Sequence, residues 1–246
     1  MMQRRPHTTV VLAMSADGKI ADFRRGAARF GSGADKAHLE KKIAASDAVL
    51  LGAGTLRAYG TTLTVSQPIL LQHRIKEGKS AQPVHIVITQ FADLNPEIKF
   101  FQQPIERWLL TTTMGARSWQ KRHQILHSTG LTLPQKCPPK FDQIMAFDTP
   151  TGNVDTSAAL QHMASLHITR LAVLGGGELV ASMLQSDLID ELWLTVCPLI
   201  LGGASAPTPV EGVGFLSELA PRLELLEVHQ VEQEVFLHYR LQRPAD

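Results

Sequence analysis

Two short glycine-rich turns are the residues best suited to chemistry in this chain. The first reads Gly52-Ala53-Gly54-Thr55 and runs on into Leu56; the second reads Gly175-Gly176-Gly177-Glu178-Leu179. Each follows an apolar run and precedes a helical pattern. Glycine lets backbone N–H groups approach an anion closely, and a helix N-terminus adds partial positive charge. A pyrophosphate lying between two such turns would need few Lys or Arg partners. Either turn alone reads equally well as a tight strand-to-helix connection, but two in one small sheet point to a dinucleotide. Neither is the Rossmann fingerprint: Arg57 stands where the third glycine belongs, and Leu179-Val180 is followed by no further glycine.

A second group of polar residues sits at the ends of apolar runs. Ser15-Ala16-Asp17-Gly18-Lys19-Ile20-Ala21 closes the first. A hydroxyl, a carboxylate and an ammonium so close together could fix a polar substrate, with Asp17 in a proton-transferring or orienting role; the plainer reading is an Asp-Gly turn with a solvated Lys. Thr89-Gln90 and Thr111-Thr112-Thr113 end two other runs, where hydroxyls could meet ribose or phosphate oxygens.

Other chemistries lack their residues. A zinc deaminase needs HxE and PCxxC, and Cys137-Pro138-Pro139 has no second Cys. There is no GxSxG elbow and no Walker loop. Ten His residues show no metal-ligand spacing, so no metal is expected. The formal net charge of +1 gives no reason to propose nucleic acid or a membrane surface as partner. Two cysteines, Cys137 and Cys197, cannot form a disulfide framework and read as reduced thiols in a cytoplasmic protein. No apolar run reaches the length of a membrane span, and the basic N-terminus lacks a cleavage site.

The elements that must position these residues alternate between strand and helix. Strands are expected at 10–14, 47–51, 85–89, 108–111, 125–127, 171–174 and 191–196, and helices at 34–46, 115–122, 155–166 and 178–186. Ser32 is placed to cap the first helix, with Asp35 in the position of a weak capping box. The segments 60–83 and 131–142 read as loops. The unit 171–196 is strand, glycine turn, helix, strand, which implies parallel strands. The stretches 223–231 and 235–241 alternate like an antiparallel edge hairpin. One domain spans 1–246, with a core of about 8–241: an α/β fold with helices on both faces of a mixed, mostly parallel sheet.

Taken in order, the motif at 15–21, the block Ser46-Asp47-Ala48-Val49-Leu50-Leu51 with its glycine turn, the block 175–192 and Pro198-Leu199-Ile200-Leu201-Gly202-Gly203 resemble the pyrimidine reductase family of riboflavin biosynthesis. The likeness is to the C-terminal reductase domain of the bifunctional deaminase-reductase. It implies a dihydrofolate-reductase-like three-layer α/β/α fold, usually in a homodimer, and no deaminase domain here. It implies NADPH as cofactor. The substrate would be a ribosylamino-pyrimidine 5′-phosphate, either 5-amino-6-(5-phosphoribosylamino)uracil or its diamino-pyrimidinone analogue, reduced at C1′ to the ribitylamino product. By the same likeness Gly52, Gly54, Thr55, Leu56 and Gly175, Gly176, Gly177, Glu178, Leu179 bind the cofactor phosphates. Thr89, Gln90, Thr111 and Thr112 touch its adenosine side. Ser15, Asp17, Gly18, Lys19, Leu63 and Thr64 edge the substrate pocket.

Three positions depart from the family pattern. Val11 replaces a Lys, Leu174 replaces a Glu, and the segment Tyr59-Gly60-Thr61-Thr62 has no acid. All three belong to the substrate side. A reductase of the same fold with another substrate, or a nucleotide-binding protein without turnover, therefore stand as alternatives. Arg57 and Arg74 are the available partners for a cofactor 2′-phosphate.

Overall fold

A computed structural model describes residues 5–128 and 140–243, the stretch 123–128 by its backbone. The parallel strands are β1 (His7–Ser15), β2 (Ala48–Gly52), β3 (Val84–Ile88), β4 (Arg107–Thr111), β5 (Gln143–Ala146), β6 (Arg170–Val173) and β7 (Glu191–Cys197). The antiparallel edge is β8 (Arg222–Val231) and β9 (Glu234–Gln242). The helices are α1 (Gly33–Ala45), α2 (Ala53–Tyr59), α3 (Pro68–Lys76), α4 (Thr113–Ser128), α5 (Thr156–Ser165) and α6 (Gly177–Gln185). The sheet order is β5-β4-β3-β2-β6-β1-β7-β9-β8.

Strand β2 shows why the sheet is covered on both faces. Its residues Ala48, Val49, Leu50 and Leu51 are all buried. Side chains alternate across a strand, so Ala48 and Leu50 join one core with Leu160 and Met163 of α5 and Val180 and Met183 of α6. Val49 and Leu51 join the cores of the opposite face, with Ile43 of α1, Leu56 of α2 and Trp119 of α4. A strand apolar on both faces is the expected form for parallel sheets. No helix among the described residues is long and apolar enough to cross a membrane.

The strands expected at 10–14, 47–51, 85–89, 108–111, 171–174 and 191–196 are found, as is the edge hairpin. Strands β6 and β7 do not pair with each other; both pair with β1, which lies between them. Residues 125–127 are the last turn of α4 rather than a strand. Of the stretch 131–142, residues 131–139, with Cys137, lie outside the described residues.

The segment 60–83 is not all loop, because α3 sits inside it. Pro68 occupies the first turn, where a missing N–H costs nothing. The turn leading into it is held from another helix: the carboxylate of Glu40 on α1 accepts the N–H groups of Ser66 and Gln67, just before α3, at 2.5 and 2.7 Å. Arg74 works in the opposite direction. It is 2 % exposed, and its guanidinium donates to the carbonyls of Ala44, Ser46 and Ser80 at 2.7, 2.6 and 2.8 Å. Those carbonyls end α1 and the turn after α3, where helix termini leave acceptors unpaired. Arg74 is thereby committed to the fold and removed as a partner for a 2′-phosphate.

The capping box at α1 is half closed. Ser32 Oγ accepts from the N–H groups of Ala34 and Asp35. The reciprocal bond from Asp35 is replaced by a distant residue: the Ser32 N–H donates to Glu234 Oε1 at 2.8 Å, and the Ser32 hydroxyl donates to Oε2 at 2.5 Å. Asp35 is free to face elsewhere.

Truncating Arg74 to Ala strands three buried acceptors, so it should destabilise the protein by about 3 kcal/mol. Arg74→Lys should recover only part of this, since one ammonium cannot copy the planar fork. Urea unfolding of both variants measures the difference.

Candidate functional site

The carboxyl ends of β2, β6, β1 and β7 lie side by side because β6, late in the chain, inserts between β2 and β1. In parallel sheets the ligand crevice opens at these ends. The insertion brings the two glycine turns together. Leu174 N–H donates to Leu50 O, and Gly52 N–H donates to Gly175 O, both at 2.9 Å. The peptide between Gly175 and Gly176 is cis.

The two turns lie within van der Waals reach of each other, and Gly177 leaves no room for a side chain. A Cβ on Gly52 would stand 3.6 Å from Gly176 N, and one on Gly176 would stand 3.4 Å from Thr55 Oγ1. A Cβ on Gly177 would collide with the Thr208 carbonyl and the Glu211 side chain. Helix α6 begins at this point with no side-chain cap on its N-terminal donors. Bare backbone, together with free N–H groups at a helix start, fits a phosphate-bearing cofactor.

Above the turns opens a cavity of about 720 Å3, within the range of small-molecule sites. Of the residues predicted from sequence, Gly52, Gly54, Thr55, Leu63, Gly175, Gly176, Gly177, Glu178 and Leu179 line it. Val11, Leu174, Tyr59, Thr61 and Thr62 line it as well, so each departure from the family pattern faces the cavity. Leu56 is fully buried on the inner side of α2 and packs in the core instead. Thr64 is half-buried beside the cavity wall and does not line it.

Ser15, Asp17, Gly18 and Lys19 form the scaffold behind one wall. Asp17 accepts from the Ser15 hydroxyl at 2.6 Å and from the N–H groups of Leu201 and Gly202 at 3.1 and 2.7 Å. Gly18 turns the chain with φ of +77°, and its N–H donates to Ser15 O. Lys19 Nζ reaches Ala206 O at 3.4 Å, and Ile20 N–H donates to Pro207 O. Ile20, Ala21 and Pro207 are the wall itself. The hydrogen bonds from Ser15, Leu201 and Gly202 hold the Asp17 carboxyl down at about 2. A carboxylate held ionised in this way suits an orienting role rather than proton donation.

The hydroxyls at the ends of β3 and β4 lie farther along the same sheet edge, outside the cavity lining. Thr111 and Thr112 donate to Gln90 O at 3.2 and 2.8 Å, and Gln90 Nε2 donates to Gly152 O. Thr89 follows β3 and is half-buried. Arg57 stands exposed on α2, with Nη1 donating to Asp93 O at 3.1 Å.

Sequence reasoning missed the connection between β1 and α1 and the first turn of α1: Arg25, Arg29 and Phe30 of the first and Asp35 and Lys36 of the second all line the cavity. Nothing in their spacing marks them; Asp35 had only its capping position. Arg25 is paired with Glu211 at 2.7 Å. Thr62 is oriented from behind: its hydroxyl lies 3.1 Å from His85 Nδ1, and Gln103 grips its backbone N–H and carbonyl. Cys197 is no nucleophile, since burial and the Glu234 carboxylate push its thiol up to about 12. No group of three or more metal-ligating side chains occurs among the described residues.

The lowered Asp17 value fixes a pH test. The folded-state value lies below the ordinary 3.8, so its stabilisation is present above that value and is lost as pH falls toward the folded value. The stability gap between wild type and Asp17→Asn should be constant from neutrality to about pH 5 and close between about pH 4 and 2. Urea unfolding across pH checks it.

Comparison with known proteins agrees with this geometry. The family model described as RibD C-terminal domain matches residues 6–237. The chain is 27% identical over 223 residues to the 2,5-diamino-6-ribosylamino-4(3H)-pyrimidinone 5′-phosphate reductase of Archaeoglobus fulgidus, covering 91% of this chain and 93% of that one. It is 24% identical to riboflavin biosynthesis protein RibD of Escherichia coli, covering 95% of this chain and 59% of that one. Among solved structures, a pyrimidine reductase-like protein of Corynebacterium diphtheriae shares the fold with a TM-score of 0.75 at 19% identity, over 97% of this chain and 92% of that one. With a family match over nearly its whole length and an α/β fold shared with pyrimidine reductases, the chain belongs to the RibD C-terminal domain family.

Proposed function

We propose that this protein is an NADPH-dependent reductase of riboflavin biosynthesis that converts a ribosylamino-pyrimidine 5′-phosphate to its ribitylamino product. The observation that carries the reading is the pair of glycine turns, hydrogen-bonded to each other beneath a cavity, in a member of a family with relatives named as that reductase.

The glycine backbones at 52–54 and 175–177, with the first turn of α6, hold the cofactor phosphates. Thr89 and Gln90 serve its adenosine end, with the buried Thr111 and Thr112 holding the Gln90 carbonyl from below, and Arg57 is the cation available there. When bound, the nicotinamide supplies a hydride. The protein's own task is to bind, orient and exclude water. Ile20, Ala21, Leu39, Leu51 and Leu174 give the cavity apolar walls. Arg29 and Lys36 in its lining are the cations positioned for a substrate phosphate, Arg25 being paired with Glu211. Asp17, Ser15, Gly18 and Lys19 act behind the wall, keeping Ile20 and Pro207 in place.

Val11 and Leu174 on the cavity surface favour one second reading, a same-fold reductase acting on another substrate. A homodimer also belongs to the proposal. Leu225 and Val228 on β8 and Val213, Leu216 and Leu219 before it are exposed, an unusual run of apolar side chains for a free surface.

Calorimetry should show NADPH binding more tightly than NADH, and Gly176→Asp should abolish it while the variant stays folded, because the new carboxylate would enter the phosphate cradle. Consumption of NADPH with the ribosylamino-pyrimidine phosphate supports the reading. Binding without consumption, together with turnover of another acceptor, favours the second. Light scattering should give twice the chain mass, and Val228→Arg should reduce it to the monomer.

A further inference from the structure

We propose that Asp35 is the proton donor of the reduction, delivering its proton to the substrate from the first turn of α1. The proposal rests on the reading of the protein as a ribosylamino-pyrimidine reductase.

Three carboxylates line the cavity: Asp35, Glu178 and Glu211. Glu211 is neutralised by Arg25 at 2.7 Å. Glu178 stands in the first turn of α6, beside the glycine turn that cradles the cofactor phosphates. Asp35 has the opposite surroundings. Its helix is capped without it, since Ser32 turns to Glu234 in place of closing the capping box. Glu234, on β9, is 3 % exposed. Cys197 on β7 donates to the same Glu234 at 3.4 Å. Because β9 runs antiparallel to β7, its first residue lies at the carboxyl edge, and Val235 pairs with Val196. Asp35 thus meets a second acid at the cavity wall.

The room for the Asp35 side chain is made by a glycine. A Cβ on Gly31 would collide with the Asp35 carboxylate, and Gly31 itself lines the cavity. The charged and titratable groups around Asp35 are Glu234 and Cys197 from the sheet and Tyr59, Arg29 and Lys36 from the cavity lining. Burial raises the Asp35 pKa, a hydrogen bond from Thr195 opposes this, and the charge of Glu234 raises it further. A carboxyl group whose proton is held more tightly by burial and a neighbouring acid is suited to general-acid work.

The substrate-side positions support the assignment by what they lack. Val11 and Leu174 present no proton to the cavity. The reduction needs one hydride and one proton. As the C1′–O4′ bond of the glycosylamine breaks, its electron pair stays on O4′ and takes the Asp35 proton. The lone pair of the exocyclic nitrogen becomes the second bond of a C=N⁺. The hydride supplied by the reduced nicotinamide adds to C1′, and that second bond returns to nitrogen as a lone pair. The product is the open-chain secondary amine, and Asp35 is left as carboxylate to be reprotonated from solvent.

The test uses the whole chain with Asp35→Asn and Asp35→Glu. Carboxyl carbon NMR of the ligand-free wild type should show Asp35 titrating above 3.8. With the pyrimidine phosphate, wild-type kcat/KM should fall as pH rises through that value. Asp35→Asn should lower kcat by about 10²-fold or more and lose this limb, with NADPH affinity changed less than about twofold. Asp35→Glu should keep part of the rate and the limb. An Asp35 that titrates at the ordinary value, or an Asn variant that keeps the rate and its pH limb, overturns the proposal alone. A folded wild type that binds NADPH and leaves this substrate unreduced overturns the underlying reading, and the proposal with it.

Discussion

The site depends on one arrangement: β6 lies between β2 and β1, and Gly52 N–H reaches Gly175 O. Two turns that are remote in sequence become one surface of bare backbone. A side chain at Gly177 would push into Thr208 and Glu211, while Gly52 and Gly176 keep the two turns within van der Waals reach of each other. The cavity inherits its floor from this pairing, and the apolar faces of β2 hold it rigidly from both sides.

Around that floor the walls come from segments that the sheet alone does not fix. Asp17 stitches the end of β1 to residues 201–202. Glu40 and Arg74 join α1 and α3 at opposite ends of those helices. Gln103 and His85 fix Thr62. Each is a polar side chain satisfying backbone or hydroxyl groups at the end of an element. This is where buried polar groups must find partners or cost stability.

Most of the sheet was legible in the sequence because its strands are short apolar runs followed by Gly, Ser or Thr; β5 was not, since Gln143–Ala146 is too short and half-buried to stand out. The glycine turns were legible because glycine has few other reasons to cluster after a strand. Helix α3 was not legible either: Ile69 and Ile75 are exposed and only the adjacent Leu70 and Leu71 pack on the core, so no helical stripe announced it, and Pro68 was its single sign. Residues 125–127 looked like a strand because three residues carry no helical period. Within the site, the floor could be read locally, but the rim could not. Arg74 reads in the sequence like any ligand-binding cation, and its burial depends on carbonyls at the end of α1 that spacing does not reveal. Asp35 earned notice only as a cap, because Glu234, which displaces it from that role, comes from the far end of the chain.

That last contact has a consequence for the order of events on the ribosome. The N–H and hydroxyl that open the first helix wait for a carboxylate on the final strand. A nascent chain can therefore lay down β1 through β7 and still lack the finished start of α1. Long-range closures of this kind slow folding and tie distant segments into one cooperative unit. A chain cut short of its last strand would lose more than an edge: it would leave the wall of the cavity unlatched at the other end of the sequence.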